Sequence, residues 1–215
     1  MESNYLQTDY SQIDNLHAIR REVDADNSCL FSSIAYLIDR SNFGENSSLK
    51  FRQIIVEYLL DNEFDATLLD QPKDQYIDFI QNIKNWGGAL EVKMFSEIFQ
   101  KQIVCIDVKT NRADIYGEDK KYSQRIYLLY NGIHYDPLVM NLDLCADPLT
   151  DITIFDSNNQ EVFELMKCLL LEYKNQGDYV DFYSIECSAC NEKFKNESDA
   201  LDHSLNFQHW DFKKI

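Results

Sequence analysis

The chain is poor in the residues that break regular structure. Its 215 residues include three prolines and six glycines, so most of it is expected in helices and strands. No apolar run is long enough to span a bilayer. The opening MESNYLQTDY has neither a basic nor an apolar segment of the secretory kind. Membrane insertion is therefore excluded, and a cytoplasmic location, with the nucleus also open, is expected. Basic residues are scarce as well: 20 Lys and Arg stand against 37 Asp and Glu, a net charge of −17. Phosphate binding needs clustered cations, so nucleic acid is excluded as a partner. A basic protein surface is the natural complement. Repeats and low-complexity segments are missing too. What is present, 45% apolar and 13% aromatic residues, suits one packed domain or one domain plus a small module.

Apolar residues recur at helical spacing over 29–40 (Phe31, Ile34, Ala35, Ile38), over 48–59 (Phe51, Ile54, Ile55, Tyr58, Leu59), and after Pro72 (Tyr76, Phe79, Ile80, Ile83). Asn85-Trp86-Gly87-Gly88 breaks the chain, and a fourth helix is expected over 89–99. The period then changes. Residues 102–108 and 125–130 are short β-branched runs that predict buried strands, and 152–155 predicts a weaker one. A last helix is expected over 160–174. Helices followed by strands around one core predict an α/β or α+β domain.

Six cysteines remain to be sorted. In a reducing compartment each is a core thiol, a metal ligand or a nucleophile. Cys105 and Cys168 fall on apolar faces and are expected to be buried small hydrophobes. Cys145 lies in an acidic loop. Cys29 is different: it follows the polar loop Asp24-Ala25-Asp26-Asn27-Ser28 and opens a helix. Free N–H groups and the helix dipole favour a thiolate there, and N–H groups of the preceding loop can face a developing oxyanion. A thiol needs a base within reach. His134, after the strand ending at Tyr130, is the candidate. Asp136, two residues on in an extended segment, points to the same side and can orient the ring. Spacing alone does not single out this pair, because such partners lie far apart in sequence.

Several segments together are more specific. Asp26-Asn27-Ser28-Cys29-Leu30-Phe31 resembles the Asp-x-x-Cys loop of ovarian-tumour (OTU) cysteine proteases, and Asn131-Gly132-Ile133-His134-Tyr135-Asp136-Pro137 resembles their His loop. Asn85-Trp86-Gly87-Gly88-Ala89-Leu90-Glu91 matches a further segment of that family. Gly117-Glu118-Asp119 and Tyr122 also resemble it. The elements come in the family's order over roughly 15–180. The resemblance implies a papain-like OTU domain, with a small central sheet flanked by helices. It also implies cysteine-type hydrolysis of isopeptide, peptide or thioester bonds at the C-terminal glycine of ubiquitin, with no cofactor for catalysis. Ubiquitin and polyubiquitin chains are the implied partners. In the family, the acidic residue three before the nucleophile (Asp26 here) and the residue two after the His (Asp136) are both counted with the site. Which of them orients His134 is left open. Trp86, Gly87 and Gly88 either line a narrow channel for a Gly-Gly tail or pack against the fourth helix.

The C-terminal segment carries its own signature. Cys187 and Cys190 are separated by two residues, Cys190 and His203 by twelve, and His203 and His209 by five. This is the spacing of a tetrahedral Cys2His2 zinc site. Phe194 falls where such fingers bury an aromatic, and Asn196 or Ser198 is placed to cap a helix running to His203. About thirty residues hold too little core to fold alone, so structural Zn2+ would contribute directly to folding. The expected organisation is a tail over 1–14, a catalytic domain over 15–180 and a zinc finger over 181–215. Glu197, Asp199 and Asp202 give the finger's helix the wrong charge for phosphate. Ala200 and Trp210-Asp211-Phe212 resemble the finger of one OTU branch, the zinc-finger ubiquitin thioesterases of endoplasmic-reticulum-associated degradation. That branch engages an AAA segregase through an N-terminal ubiquitin-like domain, for which only about fifteen residues leave no room. A non-catalytic ubiquitin-binding adaptor is the alternative, disfavoured because it has no chemical need for Cys29, His134 and both Asp residues.

Overall fold

The structure, a computed structural model, describes residues 16–61, 64, 66–175, 185–194 and 197–214. The tail over 1–14, Asn196 and the boundary at 180–181 lie outside the described residues. Among the described residues there are six α-helices: α1 (Cys29–Ile38), α2 (Ser47–Asp61), α3 (Lys73–Gln81), α4 (Ala89–Phe99), α5 (Gln160–Asn175) and α6 (Glu197–Phe207). The strands are β1 (His17–Arg20), β2 (Gln102–Asp107), β3 (Ala113–Tyr116), β4 (Gln124–Tyr130), β5 (Tyr135–Asn141), β6 (Phe155–Asp156), β7 (Ile185–Cys187), β8 (Lys193–Phe194) and β9 (Phe212–Lys214). Among the described residues no helix is long and apolar enough to cross a membrane.

The main sheet runs β1-β5-β4-β2-β3, with β6 beside β4. Only β2 and β4 are parallel; the other pairs are antiparallel. Both faces of this mixed sheet are covered, which is why its central strands read as continuous apolar runs. Period-2 alternation divides them. Ile103, Cys105, Ile126, Leu128 and Val139 face a core shared with Phe31, Ile34, Phe51, Ile55 and Phe95 from α1, α2 and α4. Val104, Ile106, Tyr127, Leu129, Leu138 and Met140 face Val162, Met166 and Leu170 of α5. Each such fully buried side chain contributes about 1.5–3 kcal/mol. The mixed α/β architecture anticipated from the residue pattern is present.

Several local expectations are corrected. Residues 152–155 are not a continuous strand: Ile152 makes an isolated bridge to Met140, and Phe155 opens the two-residue β6. Ile83, expected on the inner face of α3, lies beyond that helix and is exposed. Cys168 is exposed, not buried, because it occupies the solvent side of α5. Ser198 is the second residue of α6, which starts at Glu197.

Two close approaches position the site. A Cβ on Gly87 would stand 2.7 Å from the Phe31 ring and 3.0 Å from Leu30, so only glycine lets the 85–88 segment lie against α1. Over α1, Ser33 Oγ donates to the Tyr135 carbonyl at 2.9 Å. That bond ties the helix to the start of β5 and brings the N-terminus of α1 to the end of the β4–β5 hairpin.

Candidate active site and metal centre

Cys29 is the first residue of α1 and only 7% exposed. The loop before it is shaped by its own side chains. Asp26 Oδ1 accepts from the Ser28 N–H at 2.8 Å, and the Cys29 N–H reaches the Asp26 carbonyl only at 3.4 Å. The Asn27 N–H makes no hydrogen bond among the described residues. Two backbone donors beside the thiol are thus weakly committed, as an oxyanion site requires.

His134 is set by the hairpin. Asn131 Oδ1 accepts from the N–H groups of Ile133 and His134 at 3.0 and 2.8 Å, and Gly132 takes a φ of +99° that favours glycine. The turn delivers His134, 3% exposed, to the first position before β5. Its Nε2 lies 3.0 Å from Asp136 Oδ1, which leaves Nδ1 for Cys29. Asp136 is completely buried. It accepts from Arg20 Nε at 2.8 Å and from the Val23 N–H at 3.1 Å. A carboxylate so buried needs such partners.

The electrostatics follow from these contacts. Burial works against an imidazolium at His134, but hydrogen bonds with Asp136 and Cys29, and the negative charge of both, override it; the pKa is pushed up to about 10. Burial also pushes the Asp136 carboxyl up, yet its hydrogen bond with His134, the His134 and Arg20 charges and the Val23 N–H hold it below the usual carboxylate range. Cys29, His134 and Asp136 therefore form one buried chain of hydrogen bonds. Asp26 does not touch the ring: it is exposed and holds the nucleophile loop. Of the two acidic residues, Asp136 is the one in hydrogen-bond contact with the ring.

In the C-terminal module β7, β8 and β9 form a small sheet beside α6. Cys187 closes β7, His203 lies on α6, and the chain turns at Gln208 (φ +60°) before His209. The four side chains each offer one donor atom, all within 4.8 Å of one another. His203 Nε2 stands 3.4 Å from Cys190 Sγ and 3.2 Å from His209 Nδ1. Tetrahedral zinc with N and S ligands has edges of about 3.3–3.8 Å; these two separations are close to that length, and the two-Cys, two-His donor chemistry suits the ion. Glu192 holds the other ring nitrogen of His203 at 3.0 Å, a support that metal-binding histidines commonly have. Phe194 is buried in this module, as expected, next to Ala200.

With this geometry in place, comparison with known proteins is direct. The family model described as OTU-like cysteine protease matches residues 24–140. The chain belongs to the OTU family. It is 36% identical over 200 residues to the Ubiquitin thioesterase OTU1 of Dictyostelium discoideum, covering 91% of this chain and 61% of that protein. The Homo sapiens protein of the same name is 31% identical over 201 residues, covering 91% and 57%. The chain thus spans about three fifths of the length of these relatives. The Arabidopsis thaliana OVARIAN TUMOR DOMAIN-containing deubiquitinating enzyme 2 is 28% identical over 204 residues, covering 91% of this chain and 97% of that one. Among solved structures, an OTU domain in complex with ubiquitin superposes with a TM-score of 0.64 at 29% identity, covering 78% of this chain and 92% of that one.

Of the OTU segments named from sequence, residues 26–31, 85–88 and 131–137 meet at one place, whereas Gly117–Asp119 and Tyr122 lie beside Ser96 at the far end of β4; four roles in the two sites were not anticipated. Arg20, on β1, supplies the cation behind Asp136. Asn131 builds the His turn, and Glu192 supports His203. Arg52, on α2 and only 1% exposed, donates to the Asn27 carbonyl and Ser28 Oγ at 2.9 Å each and to the Asn85 carbonyl at 2.7 Å. Its signal was an arginine beside Phe51 on the inward stripe of an amphipathic helix. Trp86 meets Phe212 and Asn27 and lines the cleft that also holds His134.

Proposed function

We propose that the chain is a cysteine-type deubiquitinase acting at the C-terminal glycine of ubiquitin. One observation carries this reading: the Cys29 thiol at a helix N-terminus, hydrogen-bonded to a buried His134–Asp136 pair. The named relatives supply the substrate class. Cys29 attacks the carbonyl carbon of the terminal glycine as a thiolate, with the imidazolium of His134 as its counter-ion. The oxyanion faces the Asn27 and Cys29 N–H groups. The tetrahedral intermediate collapses to a thioester as His134 protonates the departing lysine amine. His134 then takes a proton from water, hydroxide adds to the thioester, and the thiolate leaves. Asp136 stays ionised and orients the ring. No cofactor enters these steps.

Cys187, Cys190, His203 and His209 are proposed to hold a structural Zn2+ completing a C-terminal finger; the ion would supply the folding free energy that so small a module lacks. Polyubiquitin chains in endoplasmic-reticulum-associated quality control are the proposed setting, on the resemblance of Ala200 and Trp210–Phe212 to one OTU branch. An AAA segregase belongs to that setting, and nothing in the described residues is assigned to it. A cytoplasmic or nuclear location suits an enzyme that needs its thiol reduced.

A ubiquitin probe with a C-terminal electrophile should label the wild-type protein at Cys29, and Cys29→Ala should abolish the adduct. An unlabelled wild type, or labelling that survives the substitution, rejects the proposal; binding of chains without cleavage would point to an adaptor instead.

A further inference from the structure

We infer that Trp86 is a positioning residue for the nucleophile loop, and that Phe212 of the C-terminal module acts on that loop through it. This rests on the proposed function and adds a link between two parts of the chain. The Trp86 indole N–H donates to Asn27 Oδ1 at 2.5 Å. Asn27 is held from its other side by Arg52, which binds its carbonyl and, at the same time, the carbonyl of Asn85, the neighbour of Trp86. Arg52 also reaches the Ile80 carbonyl at 2.9 Å and lies 4.0 Å over the Phe31 ring. The residue that offers an uncommitted N–H beside Cys29 is therefore clamped between a buried guanidinium and an indole.

The two clamps differ in what holds them. Arg52 is locked inside the catalytic core. Trp86 is only half-buried, and Phe212 stands against it with ring centroids 5.5 Å apart. Phe212 is itself set by the metal module. It pairs with Cys187 across β7 and β9, and its ring meets Phe194 at 5.9 Å and His203 at 6.2 Å. Ile133, the residue before His134, belongs to the same apolar cluster. A narrow cleft separates the two parts, with Asp26, Asn27 and His134 on one wall and Ile185 and Phe212 on the other. The path is short and physically continuous: ligand residues, Phe212, Trp86, Asn27, oxyanion donor.

Loosening Asn27 affects a group that matters only when the carbonyl oxygen turns negative. Complete loss of one oxyanion donor costs about 10²–10³-fold in kcat, so misaiming one should cost roughly 10–100-fold. KM should barely move, because the contact strengthens in the transition state. Alkylation of Cys29 by a small halide such as iodoacetamide needs no oxyanion site and should keep its rate.

The test compares wild type, Trp86→Phe, Phe212→Ala and the double variant, all zinc-loaded, on a fluorogenic amide of the ubiquitin C-terminus. Trp86→Phe keeps a ring and loses the N–H. It should lower kcat about 10–100-fold with KM within twofold; Phe212→Ala should lower kcat less; and the double variant should be no worse than Trp86→Phe alone. Iodoacetamide rates should stay within about twofold. A second readout needs no turnover. In a Trp210→Phe background Trp86 is the sole tryptophan, and stripping zinc with a chelator should shift its emission to the red. Multiplicative losses in the double variant, kcat unchanged in Trp86→Phe, alkylation falling in step with kcat, or an unmoved emission would each overturn the inference. A wild type that fails to turn over ubiquitin would instead overturn the proposed function, and the emission shift would still read the link between Phe212 and Trp86.

Discussion

Replacing Asp136 by asparagine keeps the shape of the most buried group in the site and removes its charge. Asp136 is fully buried and receives Arg20, the Val23 N–H and His134 Nε2 on its two oxygens. An amide has one accepting oxygen, so its NH2 must face either the Arg20 guanidinium or the His134 Nε2–H, both donors. One charge-assisted hydrogen bond, about 1.5–3 kcal/mol, is lost in either orientation, which corresponds to roughly 10–200-fold in kcat where the NH2 faces the ring and all of the loss is felt in the transition state. The pH profile carries more information than the rate. Hydrogen bonding with Asp136 leads the effects that raise His134 to about 10 against its burial. Activity in wild type should therefore persist well above neutral pH and fall as the imidazolium is lost near 10. In the variant that alkaline limb should move to lower pH. Stability follows the same linkage. The raised His134 contributes fully below its ordinary pKa, near 6.5, and loses this as pH rises through about 10. The lowered Asp136 contributes above the ordinary carboxylate range and loses this on acidification. The variant's stability deficit should thus be widest between about pH 5 and 6.5. Hydrolysis of a fluorogenic ubiquitin amide from pH 5 to 10.5, with urea unfolding at each pH, measures both. An alkaline limb that stays put, with kcat within about threefold, would refute the assignment of Asp136.

Asp151, 3% exposed, accepts from Arg21 at 2.7 and 2.8 Å, from Asn141 and from Tyr36. Burial opposes its ionisation, but these partners hold its pKa below the ordinary value, so Asp151→Asn should cost about 2–4 kcal/mol near neutral pH and much less once acid has protonated the wild-type carboxyl. Equal losses at pH 3 and pH 7 in chemical denaturation would contradict this. Gly117→Ala places a Cβ 2.3 Å from Ser96 Oγ at a φ of +76° and should destabilise by about 1–3 kcal/mol while kcat of the folded protein is kept; a melting temperature equal to wild type would sink the point. Removing zinc by chelation should release amide hydrogen exchange at Ile185, Cys187 and Phe194 before it affects the main sheet. Unchanged protection there would mean that the four ligand residues hold no structural ion.

The parts legible from sequence were those with strong periodicity or a local motif. Helices α1, α2, α4 and α5, strands β2 and β4 and the clustering of the four Cys and His side chains all carry such signals. Strand β5 carries none: Tyr135-Asp136-Pro137 contains two residues that strands disfavour, and its pairing to β1 and β4 is set by tertiary contacts. Cys168 was misplaced because a 3.6-residue stripe has soft edges, and one small apolar residue beside it can face water. Arg20 and Arg52 were invisible for a different reason. Nothing local distinguishes a cation that pairs across the sheet from one that is solvated; the distinction lies in partners 116 and 33 residues away.

Register is what turns these distant residues into a site. β1 pairs with β5 so that Arg20 lies opposite Leu138 and Ile19 opposite Val139. Asp136 is two residues before Leu138, hence on the same side of the sheet as Arg20 and diagonal to it. A slip of one residue would send Arg20 to the other face, put Ile19 where the cation stands, and leave the Asp136 charge with His134 and a backbone N–H alone. The same slip would move Ile19 out of the core that contains Cys29 and Phe31. The apolar alternation of β1 therefore selects the register, and the register delivers the counter-ion that lets a completely buried carboxylate stay ionised beside the histidine. In this fold the strand that completes the sheet also completes the charge balance of the catalytic pair, so a substitution of Ile19 that weakens β1 should raise the Asp136 pKa towards its ordinary value as well as lower the melting temperature.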